Sequence, residues 1–113
     1  MVKGNQLMNA VIYPLSNLEV HKTIQPEQKP VVLYFTTKTC SVCKSIFPRL
    51  EALMQAYPQK YYKIDVEHLP ELAGQNRVFT VPTILVFAEG KEVLRESRFI
   101  DFSKIQRILD LIN

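Results

Sequence analysis

The stretch VVLYFTTKTCSVCK, residues 31–44, decides how the chain is read. Its first five residues form an unbroken β-branched and aromatic run after Pro30, the pattern of a central strand buried on both faces. The strand gives way directly to a helix. From Ser41 to Tyr57 the apolar residues Val42, Ile46, Leu50, Leu53, Met54 and Tyr57 recur at three- and four-residue spacing, with Pro48 inside the run and expected to kink it. Cys40 and Cys43 therefore fall at a helix start, where unpaired N–H groups and a partial positive charge stabilise a thiolate. Cys40 is the expected nucleophile, and Cys43, one turn inward, the more buried thiol. Lys38 and Lys44 flank the pair, and no carboxylate occurs between Val31 and Leu50 to oppose them. An offset of three residues at a helix start puts both sulfurs on one face, within reach of a disulfide after modest rearrangement.

Outward from this stretch the pattern alternates. YYKIDV, residues 61–66, is a second inner strand, and Pro70 opens a short helix over Glu71 to Asn76 at its favoured first position, with Val78 ending the crossover. TILVF (83–87), a turn at Glu89-Gly90-Lys91, and VLRES (93–97) read as an antiparallel hairpin. A last helix presents Phe102, Ile105, Ile108, Leu109 and Ile112 on one face, with Ser103 or Asp101 as its cap. Before Pro30 the expectations are an edge strand in MNAVIY (8–13) and a short helix from Leu18 to Ile24. The whole is an α/β arrangement with a mixed central sheet of four to five strands flanked by helices and joined by right-handed crossovers.

At 113 residues, with 47% hydrophobic and 22% charged residues, the chain suits one domain spanning residues 1–113 and one core. Its formal charge of +3 comes from scattered Lys and Arg, so no nucleic-acid partner is indicated. The longest apolar runs are only strand-length, no membrane span is expected, and the N-terminus lacks the apolar core of a secretory signal. A soluble, monomeric, cytoplasmic protein is the expectation. In a reducing compartment two cysteines three positions apart make a poor staple, because they close too small a loop.

Three explanations of the pair stand side by side. Half of a zinc site is one, although the only histidines, His21 and His68, are far apart and no second cysteine pair exists. Two buried cysteines serving as small hydrophobes are another. Redox exchange is the third, and the strand-to-helix position favours it. His21 and His68 themselves read as surface side chains.

Several pieces together resemble the thioredoxin family: the VVLYF strand, C-S-V-C followed by Lys44, Pro48 within the helix, the Ile64-Asp65 step, Val81-Pro82-Thr83, and the Gly90 turn. The resemblance runs from Pro30 to the C-terminus and implies a thioredoxin fold. It implies a protein-disulfide reductase in which Cys40 attacks and Cys43 resolves, needing no metal or organic cofactor. Pro82 would follow a cis peptide bond beside the cysteines, leaving Val81 to pair its backbone with substrate. Partners implied are disulfide-containing proteins and an upstream thioredoxin reductase. Departures from the family pattern are informative. Ser41 and Val42 replace the Gly-Pro linker, Thr39 stands where Trp is common, and Arg98 occupies a Gly position near the active surface. Tyr34 takes the place of the buried Asp beneath the pair, and Tyr61 that of its Lys partner. Ser41, Val42, Lys38, Lys44 and Tyr34 are therefore expected to modulate the thiols. A non-catalytic binding module and a dedicated partner of one protein are the rival readings.

Overall fold

The computed structural model describes residues 10–11 and 30–113. Five strands form one sheet: β1 (Ala10–Val11), β2 (Val31–Thr36), β3 (Lys60–Asp65), β4 (Thr83–Ala88) and β5 (Lys91–Ser97). Their order across the sheet is β1-β3-β2-β4-β5. β1 and β2 run parallel to β3, whereas β4 is antiparallel to both β2 and β5, so the sheet is mixed. Among the described residues the helices are α1 (Ser41–Met54), α2 (Pro70–Gln75) and α3 (Phe102–Leu111).

All six residues of β2 are buried, as a strand covered on both faces requires. Alternation along it divides the core in two. Val31, Leu33 and Phe35 pack with Ile64, Leu85 and α2's Leu72 and Ala73 on one face. Val32 and Tyr34 pack with Tyr61, Ile84 and Val86 under α1 and α3 on the other. Leu50 of α1 and Ile105 and Leu109 of α3 are fully buried there, each burial stabilising the fold by about 1.5–3 kcal/mol.

Local chemistry explains the boundaries. α1 ends at Met54 rather than Tyr57, because the next N–H groups switch to carbonyls three residues back, Ala56 to Leu53 and Tyr57 to Met54. It runs as one helix through Pro48. Val42, expected on the apolar face of α1, is instead 54% exposed, although the adjacent Cys43 is buried. Pro70 opens α2 at its first position. Ala88 and Lys91 are paired across the hairpin, so Lys91 belongs to β5 and Glu89-Gly90 alone make the turn. Both have positive φ, 55° and 79°, as a two-residue turn matching strand twist demands. Asp101, not Ser103, caps α3, accepting from the N–H groups of Ser103 and Lys104. The edge strand expected in MNAVIY is present at Ala10–Val11 beside Tyr61 and Tyr62. The helix expected at Leu18 to Ile24, with His21, lies outside the described residues.

Candidate active site

β2 delivers the chain through Thr37, Lys38 and Thr39 to Cys40, which is the N-cap of α1. Its own sulfur does the capping: the Cys43 N–H donates to Cys40 Sγ at 3.1 Å. A cap sulfur is thereby held where the helix's unpaired N–H groups converge, and no acidic residue stands in the first turn to weaken that field. Cys40 and Cys43 are joined by a disulfide, with their Cα atoms 5.3 Å apart. Cys40 remains partly exposed, whereas Cys43 is 2% exposed. Ser41 and Val42 between them face solvent.

Tyr34 lies fully buried beneath the pair and donates its hydroxyl to the Cys43 carbonyl at 2.8 Å. Burial pushes its phenol up to about 12, only partly offset by the Thr36 hydroxyl. At neutral pH it is a hydrogen-bond donor and not a base. Its ring stacks on Phe47 at 5.2 Å.

The surroundings of Tyr34 follow from the register of β3 on β2. Tyr61 is buried in the same core and sits opposite Val32, so it is not Tyr34's cross-strand neighbour. Tyr34 is opposite Lys63, whose ammonium lies 4.5 Å from the Phe47 ring centroid. A positive charge therefore does reach this region, through a lysine that sequence reasoning missed. Period-two alternation puts residues 61, 63 and 65 on one strand face, but only the β2–β3 register sets Lys63 beside Tyr34. A cavity of about 350 Å³ opens beside Cys43, with Lys38, Lys44, Phe47, Lys63 and Asp65 among its lining. Asp65 is the one carboxylate among its lining residues, and its Oδ1 accepts from the Glu67 N–H at 2.9 Å. Lys38 and Lys44 thus line the same cavity as Cys43, and His68 is exposed and not among its lining residues.

On the other side of the pair, the Val81–Pro82 peptide bond is cis and Pro82 is buried. Val81 packs against the same core cluster as both cysteines. It stands two residues before Thr83, the first paired position of β4. Arg98 donates its backbone N–H to the Pro82 carbonyl at 2.8 Å, which brings the end of β5 to the same surface.

Comparison with known proteins agrees with this geometry. The Thioredoxin family model matches residues 11–111. The chain is 36% identical over 78 residues to the thioredoxin-like protein YdfQ of Bacillus subtilis, covering 68% of this chain and 70% of that protein. It is 41% identical over 70 residues to thioredoxin-1 of Saccharomyces cerevisiae, covering 61% of this chain and 68% of that one. Its fold superposes on thioredoxin NaTrxh of Nicotiana alata with a TM-score of 0.80 at 27% identity, over 93% of this chain and 94% of the other. With matching architecture along nearly its whole length and a C-x-x-C pair at disulfide distance on the first turn of α1, the chain belongs to the thioredoxin family of thiol–disulfide oxidoreductases.

Proposed function

We propose that the protein reduces disulfides in other proteins, with Cys40 as nucleophile and Cys43 as resolving thiol. The observation that carries this reading is the asymmetry of the pair: Cys40 caps α1 and reaches solvent, while Cys43 is buried one turn in. In the reduced protein, the Cys40 thiolate attacks one sulfur of a substrate disulfide. That bond breaks, a mixed disulfide forms at Cys40, and the departing thiolate takes a proton from water. Cys43 then loses its proton and attacks Cys40 Sγ. The mixed disulfide breaks, the second substrate thiol leaves, and Cys40–Cys43 is oxidised as the substrate gains two electrons. Lys38, Lys44 and the α1 terminus favour the first thiolate. Ser41 and Val42 shape the exposed turn between the thiols, and Val81 and Pro82 offer an edge to an extended substrate segment.

A thioredoxin reductase upstream would restore the dithiol, and the proposed setting is the cytoplasm, with the protein acting as a monomer. The test is trapping. Cys43→Ser should hold substrates as mixed disulfides in non-reducing pull-downs, and Cys40→Ser should hold almost none. Insulin reduction with dithiothreitol should be accelerated by wild type only. Equal yields from the two variants, or no acceleration, would refute the ordered mechanism.

A further inference from the structure

Arg98 sits in a backbone conformation that its side chain does not favour. Its φ is 64°, in the left-handed region that glycine enters freely and a residue with a Cβ does not. The backbone hydrogen bond to Pro82 holds it there. Yet the Arg98 side chain is exposed and makes no hydrogen bond or ion pair to another described residue. A disfavoured position is thus held by a side chain that contributes nothing visible to the folded chain. Such outliers motivate a functional hypothesis when the surroundings supply one.

The surroundings do. Arg98 lines a groove of about 600 Å³ that it shares with Val42, one of the two residues between the cysteines, so whatever fills the groove lies against the exposed turn that carries the disulfide. The apolar walls include Val42, 54% exposed, and Phe99, 89% exposed. Arg49 supplies a second guanidinium, 4.5 Å from the Phe102 ring centroid. Asp101 is the only carboxylate among the lining residues, and its Oδ1 is occupied by the N–H groups of Ser103 and Lys104. The nearby Glu96 accepts from the Asp101 N–H through Oε1. Two guanidiniums over apolar walls, with the neighbouring acids turned to backbone, complement a chain segment carrying a carboxylate.

We infer that Arg98, assisted by Arg49, is a specificity-determining residue that reads an Asp or Glu beside the disulfide of the substrate protein. The inference rests on the reductase reading and names its substrate class: disulfides flanked by acidic residues. Selectivity is a difference between affinities, and one solvent-accessible charge pair supports a difference of about five-fold.

Two synthetic peptides test it, each closed by one disulfide and identical except for Glu or Gln on both sides of the first cysteine. The reduced wild type should reduce the Glu peptide about five-fold faster than the Gln peptide, less so at high ionic strength. Arg98→Gly, which suits the left-handed backbone and so keeps the fold, should bring that ratio close to one, and Arg98→Lys should retain part of it. Equal rates in wild type, or a preference that survives in Arg98→Gly, would overturn the inference. If neither peptide is reduced, the reductase reading is what fails. The groove is then judged by binding of the same peptides to Cys40→Ser. Tighter binding of the Glu peptide that is lost in Cys40→Ser/Arg98→Gly supports the inference, and equal binding overturns it.

Discussion

Replacing Tyr34 by Phe separates two roles that a buried phenol beneath a cysteine pair can have. The change deletes one oxygen and keeps the ring, so the stack on Phe47 at 5.2 Å and the packing under α1 survive. Lost is the hydrogen bond to the Cys43 carbonyl at 2.8 Å, a fully buried neutral pair. Its net worth is about 1 kcal/mol, which lowers the melting temperature of a domain this size by roughly 3–6 °C. Proton transfer should not change. With its pKa pushed up to about 12, Tyr34 is a phenol throughout the physiological range and has no vacant proton site for the Cys43 thiol. Resolution should therefore follow the Cys43 thiolate fraction in wild type and variant alike. An ordinary thiol of pKa about 8.5 is only about 3% ionised at pH 7, so the rate should rise nearly tenfold per pH unit below that value. Stopped-flow decay of a mixed disulfide at Cys40, followed across pH, measures this, and thermal unfolding measures the hydrogen bond. An alkaline arm adds a sign check. Because the folded pKa is raised above the unfolded value near 10, the stability that wild type owes to the neutral phenol is complete below about pH 10. It is lost as pH rises toward about 12 by more than the roughly 1 kcal/mol of the hydrogen bond, so the gap between wild type and Tyr34→Phe should close and then reverse over that window. If the variant resolves tenfold more slowly at pH 7, or if a steep pH dependence appears only once the hydroxyl is removed, Tyr34 carries the proton and the reasoning fails.

Four further outcomes are expected. Tyr34→Asp should speed resolution near pH 7 by supplying a base, and it should fold because Lys63 is its cross-strand neighbour; unfolding of Tyr34→Asp alone would show that Lys63 does not compensate the carboxylate. In the reduced protein iodoacetamide should label Cys40 first, at a pKa below about 8.5, and faster labelling of buried Cys43 in peptide mass mapping would reverse their roles. Asp101→Ala should cost about 1 kcal/mol in urea unfolding through loss of the α3 cap, with Asp101→Asn recovering most of it; equal losses would mean charge, not capping, matters. Arg98→Gly should leave stability unchanged or raise it by up to about 1 kcal/mol, since relief at φ 64° outweighs glycine's added unfolded-state freedom; a loss beyond about 0.5 kcal/mol would show that the Arg98 side chain supports the fold.

Much of the molecule was written locally in the chain. An apolar run without alternation announces a strand covered on both faces, and β2 is such a strand. Three- and four-residue periodicity announces α1 and α3, and the cysteines' place at a helix start follows from where one pattern stops and the next begins. Turn and cap residues, Gly90 and Asp101 among them, act within a few positions of themselves, so short windows reveal them. Errors at this level were small and local. Val42 fits the helical period yet faces solvent, lining a surface groove at the start of α1 rather than the core.

What tertiary structure alone decided is which distant residues meet the cysteines. Lys63 lies twenty positions beyond Cys43, and only the parallel register of β2 on β3 sets it opposite Tyr34, whereas the family resemblance points to Tyr61, two residues away on the same face. A shift of register leaves the local pattern of each strand intact but changes every cross-strand partner, so no inspection of either strand alone finds this pair. The hydroxyl of Tyr34 reaching the Cys43 carbonyl, and the groove joining Arg98 to Val42, likewise depend on how α1 and the end of β5 pack over the sheet. Sequence specifies the reacting thiols because their chemistry is local. Their proton environment and choice of substrate depend on long-range packing, where neighbours in space are far apart along the chain.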